Sequence, residues 1–355
     1  SGPLVMMRAD MDGLPVKEKS GLPYASVATQ LDPVTNKTFP VMHACGHDVH
    51  ITSLIGTAKQ MVDRKDQWSG TLMLIGQPAE ERVLGARAMM ADNLWQRFGK
   101  PDYALAFHVS SILPSGVINV VEGAPFAGAD TVDIYVRGIG AHGASPHAGK
   151  DPIVLGSQIV IALQTLVSRE LSPRQPGVVT VGAFHSGTKH NIISELAHLQ
   201  LTVRNTNVET RDTLLKGIKR IAENLGRAAG LPDDKLPQVV YSEESTPPTV
   251  NNAAMVRRLK QVWQRSMGED RVTAFEAEGM GAEDFPFFTT DPEITSVYFS
   301  VGGTNANYIA AAKNGTGPAV PSHHSPIFKI EPQPSVTAGI EATVLALLDL
   351  MPTPK

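Results

Sequence analysis

Two kinds of strand pattern divide this chain of 355 residues. In the middle of the chain, segments such as TVDIYVRG (131–138) alternate apolar and polar residues, as strands with one solvent-facing side do. The segments LVMMR, TLMLIG and YALAF nearer the N-terminus are continuously apolar, which is typical of parallel strands buried on both faces. The two patterns therefore predict one α/β domain interrupted by an inserted domain.

The inserted region predicts elements in the order β-α-β-β-α-β, at residues 131–138, 151–171, 177–187, 196–205, 208–229 and 237–243. Asp151 can cap the first of these helices, and Pro152 suits its first turn. This order is that of the ferredoxin-like fold, a four-stranded antiparallel sheet with two helices on one face. We therefore predict a mostly parallel α/β domain at residues 1–127 and 246–355, and a ferredoxin-like α+β domain at 128–245.

The C-terminal part returns to the first pattern. It predicts a helix near 252–267, a strand at 296–302 and a final helix near 333–350. Residues 305–322 are rich in Gly, Ala, Pro and Asn and predict a long loop beside the pair His323–His324.

Composition argues against several classes of partner. The net charge is −4 and no block of Lys or Arg stands out, so we expect no nucleic-acid or membrane-surface binding. No apolar run approaches the roughly 20 residues of a membrane span. A single cysteine cannot form an internal disulfide. The chain opens directly on a predicted strand, which predicts missing upstream sequence. We therefore leave the localisation open, favouring the cytoplasm over the periplasm or secretion.

The only cysteine, Cys45, lies between histidines in MHACGHDVH (42–50). Cys45 and His47 are two positions apart, so an extended backbone would point both side chains to one side. A thiolate and an imidazole together can bind zinc, manganese, cobalt or nickel. The alternatives are a cysteine packed as a small apolar residue and a redox thiol, although no CxxC motif is present.

Further polar residues follow the apolar strands. In QPAEE, Glu80 and Glu81 come after TLMLIG, at the strand end where open α/β sheets bind ligands. Adjacent side chains diverge, so one carboxylate can bind metal while the other acts as a general base. Comparable positions at strand ends or in a polar loop hold Asp10, Asp12, His108, His323 and His324. For each residue alone, a solvated side chain is the alternative.

The inserted region carries polar residues of its own. His142 and His147 lie in a glycine-rich loop (138–149), His190 and Asn191 lie in KHNII, and Arg204 ends a predicted strand. We interpret these residues as a lid that presents hydrogen-bond donors to an oxyanion and a carboxylate. The alternatives are a capping loop, a turn asparagine and a surface arginine.

Together these motifs resemble the metal-dependent aminoacylase/carboxypeptidase family, and within it the branch of hippurate hydrolases, N-acyl-amino-acid amidohydrolases and plant auxin-conjugate hydrolases. The motifs that carry the resemblance follow the family's order over essentially the whole chain: RADMDGLP, MHACGHDVH, QPAEE, the FHV histidine, GAHGASPH, GAEDF (281–285) and HSPIF (324–328). MHACGHD followed by PAEE is the most specific combination. The resemblance implies a metallohydrolase catalytic domain whose inserted domain serves as a lid and dimerisation domain.

The resemblance also implies two divalent metal ions, zinc or manganese first, with cobalt and nickel as alternatives. The implied metal ligands are Cys45, His47, Glu81, His108 and His324. Glu80 would be the general base, and Asp12 would orient a ligand. In the lid, His142 would polarise the scissile carbonyl, Asn191 would assist, and Arg204 would bind the substrate carboxylate. In relatives the lid histidine can come from a partner subunit, so we expect a homodimer through the lid domain.

The expected reaction is hydrolysis of the amide bond in N-acyl or N-aroyl amino acids such as hippurate or indole-acyl conjugates. A dipeptidase or aminopeptidase on the same scaffold is the nearest alternative. A serine hydrolase with a nucleophile elbow would need a GxSxG motif, which this sequence lacks. A binding protein that retains metal without activity is the third alternative. The family usually has a helix, strands and an HxxPE-like segment before RADMDG, and this sequence lacks them.

Overall fold

The computed structural model describes residues 2–33, 35–276 and 279–354. They form two compact units. Unit 1 holds Ser1–Pro125, Val250–Glu278 and Asp284–Lys355, and unit 2 holds Phe126–Thr249 and Gly279–Glu283.

The β-strands of the described residues are β1 (Leu4–Asp10), β2 (Thr29–Asp32), β3 (Lys37–Pro40), β4 (Thr71–Gln77), β5 (Tyr103–Pro114), β6 (Ile118–Asn119), β7 (Gly123–Phe126), β8 (Gly128–Arg137), β9 (Ala141–His142), β10 (Gly177–Ser186), β11 (Ile192–Ile193), β12 (Leu196–Asn205), β13 (Gln238–Tyr241), β14 (Thr249–Asn251), β15 (Val272–Thr273) and β16 (Thr295–Thr304). The α-helices are α1 (His47–Asp63), α2 (Gly85–Ala91), α3 (Leu94–Phe98), α4 (Pro152–Thr165), α5 (Val208–Ala228), α6 (Ala253–Met267), α7 (Pro286–Thr289), α8 (Ala306–Lys313) and α9 (Pro332–Leu350).

Unit 1 is built on a mostly parallel sheet. Within the described ranges its strand order is β15-β6-β16-β5-β1-β4, and β16, β5, β1 and β4 run parallel to one another. Residues 5–10 of β1 are all buried, which is the environment that a continuous apolar run favours. Helices α1, α6 and α9 contribute to the same core, where the buried Trp263 of α6 donates its Nε1–H to the carbonyl of Ala342 at 2.8 Å.

Unit 2 is built on an antiparallel sheet with the strand order β10-β12-β8-β13. Burial alternates along β12, and the inward-facing residues pack with apolar residues of α4 and α5 in one core. Asp151 caps α4 by accepting the backbone N–H of Ile153 at 2.8 Å. The order β8-α4-β10-β12-α5-β13 and this sheet order are those of a ferredoxin-like fold.

The predicted α/β class, with a mostly parallel catalytic sheet, is confirmed. The strands and helices predicted between 131 and 350 are present, with ends shifted by a few residues. The long loop predicted at 305–322 is wrong in part, because α8 occupies Ala306–Lys313. Asn305 caps this helix by accepting the backbone N–H of Asn307, and the alanines within it are strong helix formers.

A second correction concerns membrane spans. Pro152–Glu170, which comprises α4 and a following π-helical turn, has 19 residues and is long and apolar enough to cross a membrane by length and composition alone. The expectation that no segment approaches this length is therefore wrong. Leu155, Ile159 and Leu163 of the segment are buried in the core of unit 2. A core helix passes the same test of length and composition.

We expect Ile218→Ala in α5 to lower the free energy of unfolding of unit 2 by about 2–5 kcal/mol, because it removes buried methyl groups and leaves a cavity. Ile218 is 0% exposed. Val208→Ala, at the exposed start of the same helix, is the control and should change stability by less than about 0.5 kcal/mol. Urea unfolding followed by circular dichroism measures both variants, and equal effects would contradict the assignment of this core.

Candidate metal centre

The site of unit 1 is assembled by the parallel pairing of its strands. β1 pairs with β4 so that Asp10 lies opposite Gln77, and the chain after each strand end carries the acidic residues. Asp12 follows β1, while Glu80 and Glu81 lie in a short 3₁₀ turn after β4. Because the carboxyl ends of parallel strands meet at one edge of a sheet, these carboxylates converge.

His108 lies inside β5 and not at its end, which corrects the prediction of a strand terminus. β16 pairs with β5 in one register as far as Ser110 and again at Pro114 after a register shift, and this pairing continues the strand past His108. β1 pairs with β5 only as far as Ala106. His108 is therefore beyond the paired part of β1, at the same edge as the carboxylates.

Cys45 and His47 reach this edge through a tight turn. The prediction of an extended backbone between them is wrong, because Gly46 adopts a left-handed conformation with φ 85° and ψ 19°, and His47 opens α1. A Cβ atom at Gly46 would lie 2.3 Å from Cγ1 of Val109. Glycine meets both requirements, since it tolerates a positive φ and needs no room for a side chain.

The predicted metal ligands come together in three overlapping groups whose ligand atoms all lie within 4.8 Å of one another: Cys45, His47 and His108; Cys45, Glu81 and His324; and His47, Glu80 and Glu81. The prediction that the carboxylates of Glu80 and Glu81 diverge needs correction, because His47 Nε2 lies 3.7 Å from Glu80 Oε2 and 3.9 Å from Glu81 Oε1.

The imidazole rings of His47 and His108 present their Nε2 atoms to this cluster. His47 Nδ1 lies 3.0 Å from the Asp12 carbonyl and 3.1 Å from its Oδ1, so the neutral form of the ring, which is the form that binds metal, carries its proton on Nδ1 and leaves Nε2 as the acceptor. His108 Nδ1 likewise donates to the carbonyl of Val109 at 2.7 Å, and its Nε2 lies 3.4 Å from Cys45 Sγ. Hydrogen bonds of this kind orient histidines that bind metal.

His324, and not its neighbour His323, joins the cluster. His324 Nε2 lies 3.4 Å from Glu81 Oε2. The backbone N–H of His324 donates to the carbonyl of Ala44 at 2.9 Å, which ties this loop to the residue before Cys45. His324 has a φ of 66°, a conformation that is uncommon for a residue with a side chain and that clusters at functional sites.

The charges of the site favour a cation. Burial lowers the pKa of His47, but the hydrogen bond with Asp12 and the nearby carboxylates outweigh burial and raise it to about 9. Burial and the carboxylates of Glu81 and Glu80 raise the pKa of the Cys45 thiol far above its usual range. A metal ion would replace the positive charge that these protons supply, and it would bind the deprotonated groups.

Two observations test whether these residues fit a metal. His47 Nε2 and Glu81 Oε1 are buried and have no hydrogen-bond partner among the described residues, and buried polar atoms are rarely left so. The separation of 3.4 Å between Cys45 Sγ and His108 Nε2 is close to that of two ligands about 2.0–2.3 Å from one tetrahedral ion. Sulfur, nitrogen and oxygen donors of this kind bind divalent transition metals. The residues therefore fit divalent cations.

A buried network supports the site, and the sequence analysis did not identify it. The guanidinium of Arg8 donates to Gln77 Oε1 at 2.7 Å, to Asp10 Oδ2 at 2.7 Å and to Asp284 Oδ1 at 3.2 Å. Asp10 also hydrogen-bonds His50 Nδ1, and His50 Nε2 accepts the backbone N–H of Val109 at 2.8 Å. The network thus connects β1, β4 and α1 to the strand that carries His108.

Each of these residues lies in a motif that the sequence analysis quoted. Arg8 begins RADMDG, His50 ends MHACGHDVH, and Asp284 is the aspartate of GAEDF. The sequence did not show that these three residues are buried. Burial would have identified them as members of a network, because a charged residue inside a folded unit needs a partner.

Unit 2 holds the remaining predicted residues. His142 pairs with Ile192 across the short antiparallel strands β9 and β11, so Asn191 lies next to the partner of His142. Both residues line an open pocket of unit 2. Arg204 is half-buried near the other end of β12, and its guanidinium donates to the carbonyl of Val203 at 3.2 Å.

Comparison with known proteins places the site in context. The profile of peptidase family M20/M25/M40 matches residues 6–315. The chain is 36% identical over 282 residues to hippurate hydrolase of Campylobacter jejuni, covering 79% of this chain and 69% of the relative. It is 35% identical over 307 residues to thermostable carboxypeptidase 1 of Saccharolobus solfataricus, covering 86% and 72% respectively.

Among solved structures, the chain is similar to the YXEP protein of Bacillus subtilis, a dinuclear metal-binding peptidase of the M20 family. The TM-score is 0.75 at 27% sequence identity, and the alignment covers 98% of this chain and 82% of that one.

We expect Arg8→Met to lower the free energy of unfolding by about 3–5 kcal/mol, because Asp10 and Asp284 would stay buried without the guanidinium that pairs with them. Arg257→Met is the matched control, since Arg257 is 60% exposed in its 2.7 Å ion pair with Glu122 and should contribute less than about 1 kcal/mol. Denaturant titration of both variants measures the difference. A loss no larger than that of the control would refute the structural role of the network.

Proposed function

We propose that this chain, which belongs to peptidase family M20/M25/M40 and is a metal-dependent amidohydrolase, hydrolyses the amide bond of N-acyl or N-aroyl amino acids. One observation carries the proposal: metal-binding atoms converge at one sheet edge, and the buried His47 Nε2 and Glu81 Oε1 have no hydrogen-bond partner there. The relative named hippurate hydrolase supports an aroyl amino acid as the first substrate to test.

Cys45, His47, Glu81, His108 and His324 would hold two divalent cations, with zinc or manganese as the first candidates. Cys45 belongs both to the group with His47 and His108 and to the group with Glu81 and His324, so its sulfur would be within reach of a cation held by either group. When bound, the cations supply positive charge that acidifies a water molecule and polarises the amide carbonyl.

Glu80 is the general base in this proposal. Its side chain is 9% exposed and lies beside the ligand atoms, with Oε2 at 3.7 Å from His47 Nε2. The carboxylate takes a proton from the attacking water and returns it to the leaving nitrogen. Asp12 holds the His47 ring through Nδ1 and accepts the backbone N–H of Glu81 at 3.1 Å, so it orients two of the ligands.

The donors of unit 2 would bind the substrate from two different chains. β12 extends eight residue steps from Leu196 to Arg204, about 26 Å at the usual rise of a strand. His142 and Asn191 adjoin the Leu196 end, since Gly138 N–H donates to the carbonyl of Glu195. An N-acyl amino acid has the length of about two residues, or ~7 Å. One substrate molecule therefore cannot contact Arg204 and His142 of the same chain.

We therefore propose a homodimer in which Arg204 binds the substrate carboxylate in one chain's site while His142 and Asn191 reach it from the partner. Helix α4 supports a second copy as the partner, because it has no charged residue from Pro152 to Thr165 and Ile161 is 72% exposed. Exposed apolar surface of this kind commonly marks a protein interface.

The alternative function is that of a peptidase on the same scaffold. The similarity to a relative named carboxypeptidase supports this alternative. The two functions differ at the substrate nitrogen, since a dipeptide carries a free amine that an N-acyl amino acid lacks. Competition between hippurate and simple dipeptides for the metal-loaded enzyme decides between them.

We expect Glu80→Gln to lower kcat for hippurate hydrolysis by about 10²–10⁴-fold while metal content per chain stays at the wild-type value, because the amide keeps the shape of the side chain but cannot accept the proton. Glu122→Gln, at an exposed carboxylate of the same unit, is the control and should retain full activity. Near-normal kcat in Glu80→Gln with metals bound would rule out this role.

Mixing two inactive chains tests whether His142 acts in the partner's site. Heterodimers of Glu80→Gln and His142→Ala chains contain one complete site, so the mixture should recover up to about a quarter of wild-type activity after subunit exchange. A mixture of Glu80→Gln with Arg204→Met is the matched control and should stay inactive, because both residues serve the same site.

If the first mixture recovers no activity, His142 does not act in the partner's site. If only the control mixture recovers activity, Arg204 acts in the partner's site and His142 acts in its own. Ile161→Glu in both chains should produce monomers in analytical ultracentrifugation and abolish the recovery, because it places a charge in the proposed interface.

A further inference from the structure

The histidine that the metal cluster does not include, His323, lies beside Cys45. His323 Nδ1 lies 3.8 Å from Cys45 Sγ, within reach of a hydrogen bond to sulfur, whose large radius lengthens such contacts. The backbone carbonyl of Cys45 also interacts with this ring. His323 is thus the neighbour of the one thiol in the sequence, although it is not grouped with the ligand atoms.

The other ring nitrogen of His323 determines where the proton resides. His323 Nε2 accepts the backbone N–H of Ser111 at 3.2 Å. In a neutral imidazole, one nitrogen accepts and the other donates, so Nδ1 carries the proton. The ring therefore points its Nδ1–H at the backbone carbonyl and the sulfur of Cys45, and it has no lone pair left on that side for a metal ion.

The ring is held in this orientation by its surroundings. Phe328, which is 4% exposed, packs against it with ring centroids 4.8 Å apart. The edge of the His108 ring lies on another side, with centroids 5.3 Å apart. The backbone hydrogen bond from His324 to Ala44 fixes the loop relative to the residue before Cys45.

We propose that His323 is a positioning residue that donates its Nδ1–H to the Cys45 thiolate and so orients the sulfur toward the other predicted ligands. The inference rests on the proposed role of Cys45 as a metal ligand. A hydrogen bond to a metal-bound sulfur withdraws electron density from it and fixes its direction, which tunes both affinity and electronic structure. His323 acts through Cys45 and does not touch the substrate.

Cobalt provides the probe, because a thiolate bound to Co²⁺ gives a sulfur-to-metal charge-transfer absorption in the near ultraviolet. His323→Phe keeps the ring shape and removes the donor, so the band should shift to lower energy and Co²⁺ binding should weaken by about 10–100-fold. His323→Leu should give the same shift. His323→Asn, whose amide N–H can occupy the position of Nδ1, should return the band toward its wild-type energy.

His185→Leu is the matched control, since His185 is an exposed histidine on β10 in unit 2 and should leave the band and the affinity unchanged. Thermal unfolding of each metal-free variant separates loss of folding from loss of the donor. The experiment uses the full chain and cobalt alone, so it needs no substrate.

An unshifted band in both His323→Phe and His323→Leu, with cobalt bound, would overturn the proposal. Loss of one cobalt equivalent in His323→Asn as well would also overturn it, because His323 would then be a ligand. Failure of the underlying metal site gives a different result: the wild-type chain would show no charge-transfer band, or Cys45→Ser would retain it.

Discussion

The parallel pairing of β1 with β4 and β5 is the constraint on which the rest of the site depends. Because the three strands point the same way, the chain segments that leave β1 and β4 meet where β5 continues past the end of β1. Asp10, Glu80 and His108 are far apart in the sequence, yet they share one edge of one sheet. A change of direction or register in any of these strands would separate them, since a shift by one residue turns each side chain to the other face.

This convergence places several carboxylates close together, and two features of the structure offset their negative charge. Arg8 neutralises part of the charge from inside the sheet, where it contacts Asp10 and Asp284. At the edge itself, the nearby carboxylates raise the pKa of His47 and of the Cys45 thiol, so both groups keep their protons. Divalent cations would neutralise these carboxylates. Metal binding should therefore raise the free energy of unfolding of unit 1.

The two units carry different parts of the proposed chemistry. Under the proposed function, unit 1 would supply the groups that hold cations and move the proton, whereas unit 2 would supply donors for a substrate. The length of β12 keeps Arg204 away from His142 within one chain. Under the proposed function, a second copy of the chain is therefore part of the active site. The uncharged, partly exposed helix α4 contributes to the core of unit 2, and under the same proposal it would also form the contact with that copy.

The sequence by itself determined the class of the main strands, the β-α-β-β-α-β order of unit 2 and the residue types that converge at the site, because the apolar and polar pattern of a short segment depends on that segment alone. Only the tertiary structure decided the left-handed turn at Gly46, the position of His108 inside β5 and the different contacts of His323 and His324. The sequence patterns likewise did not predict the pairing of Arg8 with Asp284, since 276 positions separate the two residues. Local patterns specify which residues are buried, but packing of distant segments specifies which buried groups meet.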